Sequence, residues 1–275
     1  MTIESTVVDA YINHYDMSRF KESWYFSSSI LDMDEGKNIF VLPPDDDKVR
    51  ADVKRLRNAF YSVAKDFRPV NRPIWDSLFP SWEEKNANID LIVGFPEPYD
   101  AVNTHSPDGK SHLVFDLCCW RSYLTLPDTE KLILNVMTHE LTHFLIGCYY
   151  PEADMALESK DYLEKLDAYT FHEGFAHLIS YNASDIDKTD WHSENLESVY
   201  ASAREKMNLA LKEKDREKQK QFLYDAICGK YYDKFACMCG MLYLANVWEK
   251  SGTDGLKEEF SSFHGFAEKT LRQES

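Results

Sequence analysis

The chain has 275 residues, 44% hydrophobic and 14% aromatic, which supplies a sizeable core and excludes a disordered chain. A formal net charge of −16 and a pI near 5.0 exclude a nucleic-acid partner in the absence of a local basic face, and the sequence holds none. No run approaches the roughly 20 apolar residues of a membrane span, so no membrane partner is expected.

Met1-Thr-Ile-Glu-Ser-Thr carries no basic segment followed by an apolar one, which predicts no signal peptide and a cytoplasmic location. The cysteines Cys118, Cys119, Cys148, Cys228, Cys237 and Cys239 are then expected as reduced thiols. Cys237-Met238-Cys239 lies in an apolar helix-like run and lacks C-x-x-C spacing, so it reads as buried packing.

Residues 1 to 40 read as short helical and extended pieces, with Trp24, Tyr25 and Phe26 in a core. Pro43-Pro44-Asp45-Asp46-Asp47 marks a break, where an aspartate can cap the following helix. Val49, Val53, Leu56, Phe60 and Val63 recur at helical spacing, predicting a helix over about 46 to 66. Pro69 to Pro80 reads as a loop anchored by Trp75 and Phe79. Ile89 to Phe95 is a short β-branched run and predicts a strand, Ser106 to Gly109 a turn, and Leu113 to Leu117 a second strand. Pro127 and Asp128 suit the first turn of the helix that follows. After a loop near Tyr149 to Asp154, helices are predicted over about 159 to 181, 194 to 222 and 231 to 249. A short one follows around Leu256 to Phe263. The mixed-sign run Lys212 to Lys220 reads as a solvated face. The expected class is α+β, with a small sheet before the helix that Pro127 and Asp128 open and a mainly helical C-terminal half. Residues 1–85 form a mixed helical region of unassigned role, and 86–275 form the core.

Leu132 to Gly147 is the stretch around which the rest is organised. It contains His139, Glu140 and His143 in the pattern H-E-x-x-H, inside an otherwise apolar run. Histidines four apart project from one side of a helix, one turn above the other. That geometry places two imidazole nitrogens on one zinc ion, with Glu140 beside them as base. The bland alternative is a pair of hydrogen-bonded core histidines, because buried polar groups need partners. A catalytic zinc site takes three protein ligands and keeps one position for water. The third donor is sought in Tyr169-Thr-Phe-His-Glu-Gly-Phe-Ala-His177, where Glu173 shares a helix face with Leu166, Thr170 and His177, while Phe171 and Phe175 take the other. The small Gly174 and Ala176 beside Glu173 would let this helix approach the H-E-x-x-H helix closely. His172 points about 100° away from Glu173 and reads as packing or surface.

H-E-x-x-H followed by Glu173-Gly174-x-Ala176 resembles the gluzincin metallopeptidases, over about residues 88 to 255. The spacing from His143 to Glu173 is longer than in thermolysin or the zinc aminopeptidases. It is similar to uncharacterised predicted zinc-protease families that also place two strands before the helix. The resemblance implies a zincin-like fold, a Zn2+ cofactor held by His139, His143 and Glu173, and Glu140 as base. The Gly-x-Met-Glu-Asn segment of the aminopeptidases is absent. Where relatives carry an acid four residues after the third ligand, this chain has His177, a candidate ligand or substrate contact. Gluzincins supply an oxyanion donor from their C-terminal half, and Tyr232 and then Tyr231 are the candidates here, against the plain alternative of ordinary aromatics at a helix start.

The expected function is a zinc-dependent metallopeptidase acting on a peptide or protein substrate. The strand at Leu113 to Leu117 is expected to offer its edge to an extended peptide. The alternatives are a catalytically inactive metal-binding or regulatory protein of the same fold, and a core that holds no metal.

Overall fold

The computed structural model describes residues 1–27, 37–97, 99–181 and 186–272, so residues 28–36 of the mixed N-terminal segment lie outside the described residues. Helices dominate the described residues and one small sheet accompanies them, the expected α+β class. No helix among them is long and apolar enough to cross a membrane. The chain divides into two compact units, Met1–Arg68 with Glu83–Phe144 and Pro69–Trp82 with Leu145–Ser275.

In the first unit the strands β1 (Thr2–Glu4), β2 (Asn88–Ile92), β3 (Ala101–His105) and β4 (Ser111–Asp116) form one sheet in the order β1-β2-β4-β3. β1 and β4 run parallel to β2, while β3 is antiparallel to β4. The runs expected at 89–95 and 113–117 are β2 and β4, in register with Ile89 opposite Leu113 and Leu91 opposite Phe115. The expected turn is present as well, with the Gly109 N–H donating to the Ser106 carbonyl at 2.8 Å. It closes a hairpin from β3, a strand that sequence pattern does not announce. β3 changes one expectation. β4 is hydrogen-bonded on both sides, so it has no edge to offer a peptide, and the edge strand beside it is β3.

The helix expected over 46 to 66 is α2 (Asp47–Lys65), which follows α1 (Thr6–Ile12). Asp46 caps α2, accepting from the N–H groups of Lys48 at 2.8 Å and Val49 at 3.0 Å. Such a cap contributes about 1 kcal/mol. Val49, Val53, Leu56 and Phe60 are buried at their helical spacing, and the Phe60 ring centre stands 5.0 Å from those of Phe115 and Trp120. Each such ring or aliphatic side chain, fully buried, contributes about 1.5–3 kcal/mol.

Asp116, at the end of β4, ties this unit together. One carboxylate oxygen accepts from Gly94 N–H at 2.6 Å and Phe95 N–H at 2.7 Å. The other accepts from Cys118 N–H at 2.8 Å and Cys119 N–H at 3.0 Å. Burial lifts this carboxyl to about 6, against the downward pull of the four donors. The clamp sets the direction in which the chain leaves the sheet, through a 3-10 turn at Cys119–Thr125, toward α4 (Thr129–Tyr149). Asp116→Ala strands two buried donors, Gly94 and Phe95 N–H, and two part-buried ones, Cys118 and Cys119 N–H, the buried pair at about 1–3 kcal/mol apiece where no water replaces the carboxylate. Urea unfolding is expected to read a loss of at least about 3 kcal/mol, and an unchanged midpoint would remove the clamp's importance.

α4 runs through the boundary between the units, its last residues belonging to the second. That unit also holds α3 (Arg72–Leu78), α5 (Pro151–Ala156), α6 (Tyr162–Ile179), α7 (Glu194–Ala210), α8 (Arg216–Ile227), α9 (Phe235–Phe260) and α10 (Phe266–Lys269). Several expectations give way here. Pro69 to Pro80 is not a plain loop, because it contains α3, and Tyr149 to Asp154 spans the end of α4 and the start of α5. The helix expected from 194 to 222 is two, α7 and α8, separated by residues 211–215. Asp215 caps the second by accepting from Glu217 and Lys218 N–H at 3.1 and 3.0 Å. By contrast, the two helices expected at 231–249 and 256–263 are present within α9, which is two helices meeting at a kink at Gly252, in the expected gap, where φ of 58° and ψ of −145° leave the helical region.

α6 is buried nearly all round, and α9 is its principal neighbour in this unit. Phe171 and Phe175 lie opposite Glu173 as expected, packing on Phe260 with ring centres 5.6 and 5.2 Å apart. The Asp167 carboxylate holds the start of α10, accepting from Gly265 and Ala267 N–H at 2.7 and 2.9 Å. Gly174 serves a contact other than the one expected for it. A Cβ placed on Gly174 would stand 2.8 Å from Gly240 Cα of α9, and one on Gly240 would strike the Thr170 carbonyl oxygen. The missing side chains thus let α6 and α9 cross backbone to backbone.

Candidate metal centre

α4 begins as its sequence suggests, with the Asp128 carboxylate accepting from Lys131 N–H at 2.9 Å. Ile133, Met137, Leu141, Leu145 and Ile146 turn into the core. Thr138 and Thr142 are fully buried too, each hydroxyl donating one turn back, to the Leu134 and Thr138 carbonyls, at 2.8 Å. Asn135, His139, Glu140 and His143 are only half-buried. The polar side chains of the motif therefore share the more open arc of an otherwise apolar helix.

On that arc the Nε2 atoms of His139 and His143 are 3.1 Å apart, with ring centres 4.8 Å apart and planes at 79°. Both rings turn the same nitrogen to one point. Glu140 directly follows His139 in the chain.

In the second unit Glu173 is half-buried on α6, and one turn later His177 places its Nε2 3.3 Å from Glu173 Oε2. Their side chains are 19% and 7% exposed, so this pair is sheltered from most solvent screening. The Tyr231 ring lies edge-on to His177 at 5.2 Å, and its hydroxyl is 4.0 Å from the Met241 sulfur. Tyr232 packs on Tyr231 at 5.0 Å. Of the two candidate tyrosines, Tyr231 is thus the neighbour of His177. His172 is buried, which removes a surface position from the two readings held for it.

Sequence reasoning passed over one participant. Cys237 at the start of α9, read as ordinary packing, directs its thiol to Glu173 Oε2 at 3.4 Å and lies 3.6 Å from the Ala226 carbonyl oxygen. Burial holds this thiol well above its ordinary range, so it keeps its proton. The six cysteines of the chain are all thiols, as expected.

Each unit offers imidazole nitrogen, a borderline donor, and the second adds a carboxylate oxygen, a hard one; both donor types occur at zinc and neighbouring divalent ions. No family model, curated protein or solved structure matches this chain.

Proposed function

We propose that this chain is a zinc metallopeptidase of zincin-like fold, with His139, His143 and Glu173 holding the ion and Glu140 as general base. The observation that carries this reading is the 3.1 Å between the two Nε2 atoms. Nitrogens each about 2.0–2.1 Å from a tetrahedral zinc stand about 3.3 Å apart. The histidine pair therefore fits the ion with almost no adjustment.

When bound, zinc lowers the pKa of its water to about 7 and polarises a substrate carbonyl. The chain's own groups do the rest. Glu140 takes the proton of the attacking water and hands it to the leaving amine. Tyr231, beside His177, is the better placed of the tyrosines to donate to the developing oxyanion. The edge strand β3 offers main-chain groups to an extended peptide, which would give little sequence selectivity. Thiol cysteines suit the cytoplasm.

A non-enzymatic metal-binding protein is the second reading, and His177 is what favours it, since a fourth protein ligand would close the position that water needs. His177→Ala separates the two. It lowers metal affinity if His177 is a ligand, and leaves affinity unchanged if it is only a substrate contact.

Protein purified without chelator is expected to hold about one divalent ion per chain, and His143→Ala to hold none. Stripped protein given zinc at about 100 times its Kd should gain about 2.7 kcal/mol of stability. Because affinities rise toward copper, the ion found after purification is to be checked against zinc by competition. A chain with no bound metal and no stabilisation by zinc would end this reading.

A further inference from the structure

The crossing of α6 and α9 does more than pack two helices. It is closest at Gly174 and Gly240, where neither residue has a side chain to hold the backbones apart. Groups beside such a crossing are pressed together. Cys237 lies one turn before Gly240 on α9, and Glu173 lies one residue before Gly174 on α6. Their polar atoms meet at 3.4 Å, Cys237 Sγ to Glu173 Oε2. The cysteine is fully buried, so water does not compete for its hydrogen. Ala226 O, 3.6 Å from the sulfur, borders it as a second acceptor.

We infer that Cys237 is a positioning residue for the metal centre: its thiol pins one carboxylate oxygen of Glu173 and fixes the rotation of that carboxylate toward the ion. This rests on the metal reading above. A glutamate carboxylate turns freely about its last bond, and that freedom is lost when a ligand binds. Pinning one oxygen beforehand reduces the loss. The choice of donor matters as well. A lysine or arginine here would neutralise the carboxylate and weaken its attraction for a cation, whereas a thiol is a weak neutral donor and leaves that charge available. His177 Nε2, 3.3 Å from the same oxygen, borders the carboxylate from its own helix. The sulfur comes from a different helix, so the pin depends on the glycine crossing.

The test measures zinc affinity on the full chain, by competition with a chromophoric chelator, for wild type, Cys237→Ser and Cys237→Ala. Loss of the donor in C237A should weaken zinc binding about 10–100-fold, as losses of groups that orient metal ligands generally do. C237S keeps a donor and should stay near wild type. A packing role alone would lower the melting temperature of both metal-free variants and leave affinity in place. If C237A does not fold, Cys237→Val, which fills the volume and has no donor, carries the same expectation. Equal zinc affinity in wild type and the donor-free variant overturns this inference and leaves the metal reading standing. So does a cobalt-substituted wild type with a thiolate-to-metal charge-transfer band that is lost in C237A, because the cysteine would then be a ligand. A wild type that takes up no zinc overturns both.

Discussion

Replacing Glu140 by Gln is expected to lower hydrolysis of a general peptide substrate by about 10²–10⁴-fold, the usual worth of a positioned acid–base group. Metal content should stay at the wild-type level. The amide keeps the shape of the carboxylate, and the histidines that would hold the ion, His139 and His143, meet at 3.1 Å independently of it. What the amide cannot do is accept a proton from water near neutral pH. His139→Ala should by contrast lose metal and activity together. The contrast between the two variants separates proton transfer from metal binding. Full turnover in the glutamine variant would remove Glu140 from the chemistry, and a loss of metal in it would make Glu140 a structural support of the site.

Gly240→Ala is expected to destabilise the protein by about 3 kcal/mol or more, read from the urea midpoint. Helix propensity alone predicts the reverse, since alanine in a helix interior is normally favoured over glycine by about 0.5–1 kcal/mol. The sign is decided by what the new methyl group meets. It would strike the Thr170 carbonyl oxygen and stand 2.8 Å from Gly174 Cα, and both are backbone atoms with no rotamer to change. Overpacking of this kind costs about 1–3 kcal/mol when side chains can adapt, and more when they cannot. The helices must part, and the contact between Cys237 and Glu173 parts with them. Zinc affinity should therefore fall along with stability. A midpoint equal to or above wild type would show that the crossing is loose.

The parts of the fold legible in the sequence are those where one local signal has one meaning. Val49, Val53, Leu56 and Phe60 after Asp46 specify α2 and its cap without help from the rest of the chain. The spacing of His139, Glu140 and His143 alone settles that they share one arc of α4, though not that this arc is the more open one. Prolines misled where they open helices. Pro73 lies in the first turn of α3 and Pro151 starts α5, positions where a missing N–H costs nothing. The gap between α7 and α8 was hidden by good helix formers on both sides, although Asp215 was an available cap signal. β3 reads Ala-Val-Asn-Thr-His, without the alternation that marks a half-buried strand. Cys237 could not be read at all, because its meaning comes from what lies across a glycine crossing, and spacing along one helix carries no record of its neighbour.

The four N–H groups gathered by Asp116 belong to two stretches of chain more than twenty residues apart, one leaving β2 and one leaving β4. A single carboxylate serves them all, one oxygen to each stretch, so a movement of that one side chain releases both stretches together. In amide exchange with heavy water these four protons should behave as one cooperative group, protected together and opened together. The approach to α4 is in this way tied to the sheet it leaves.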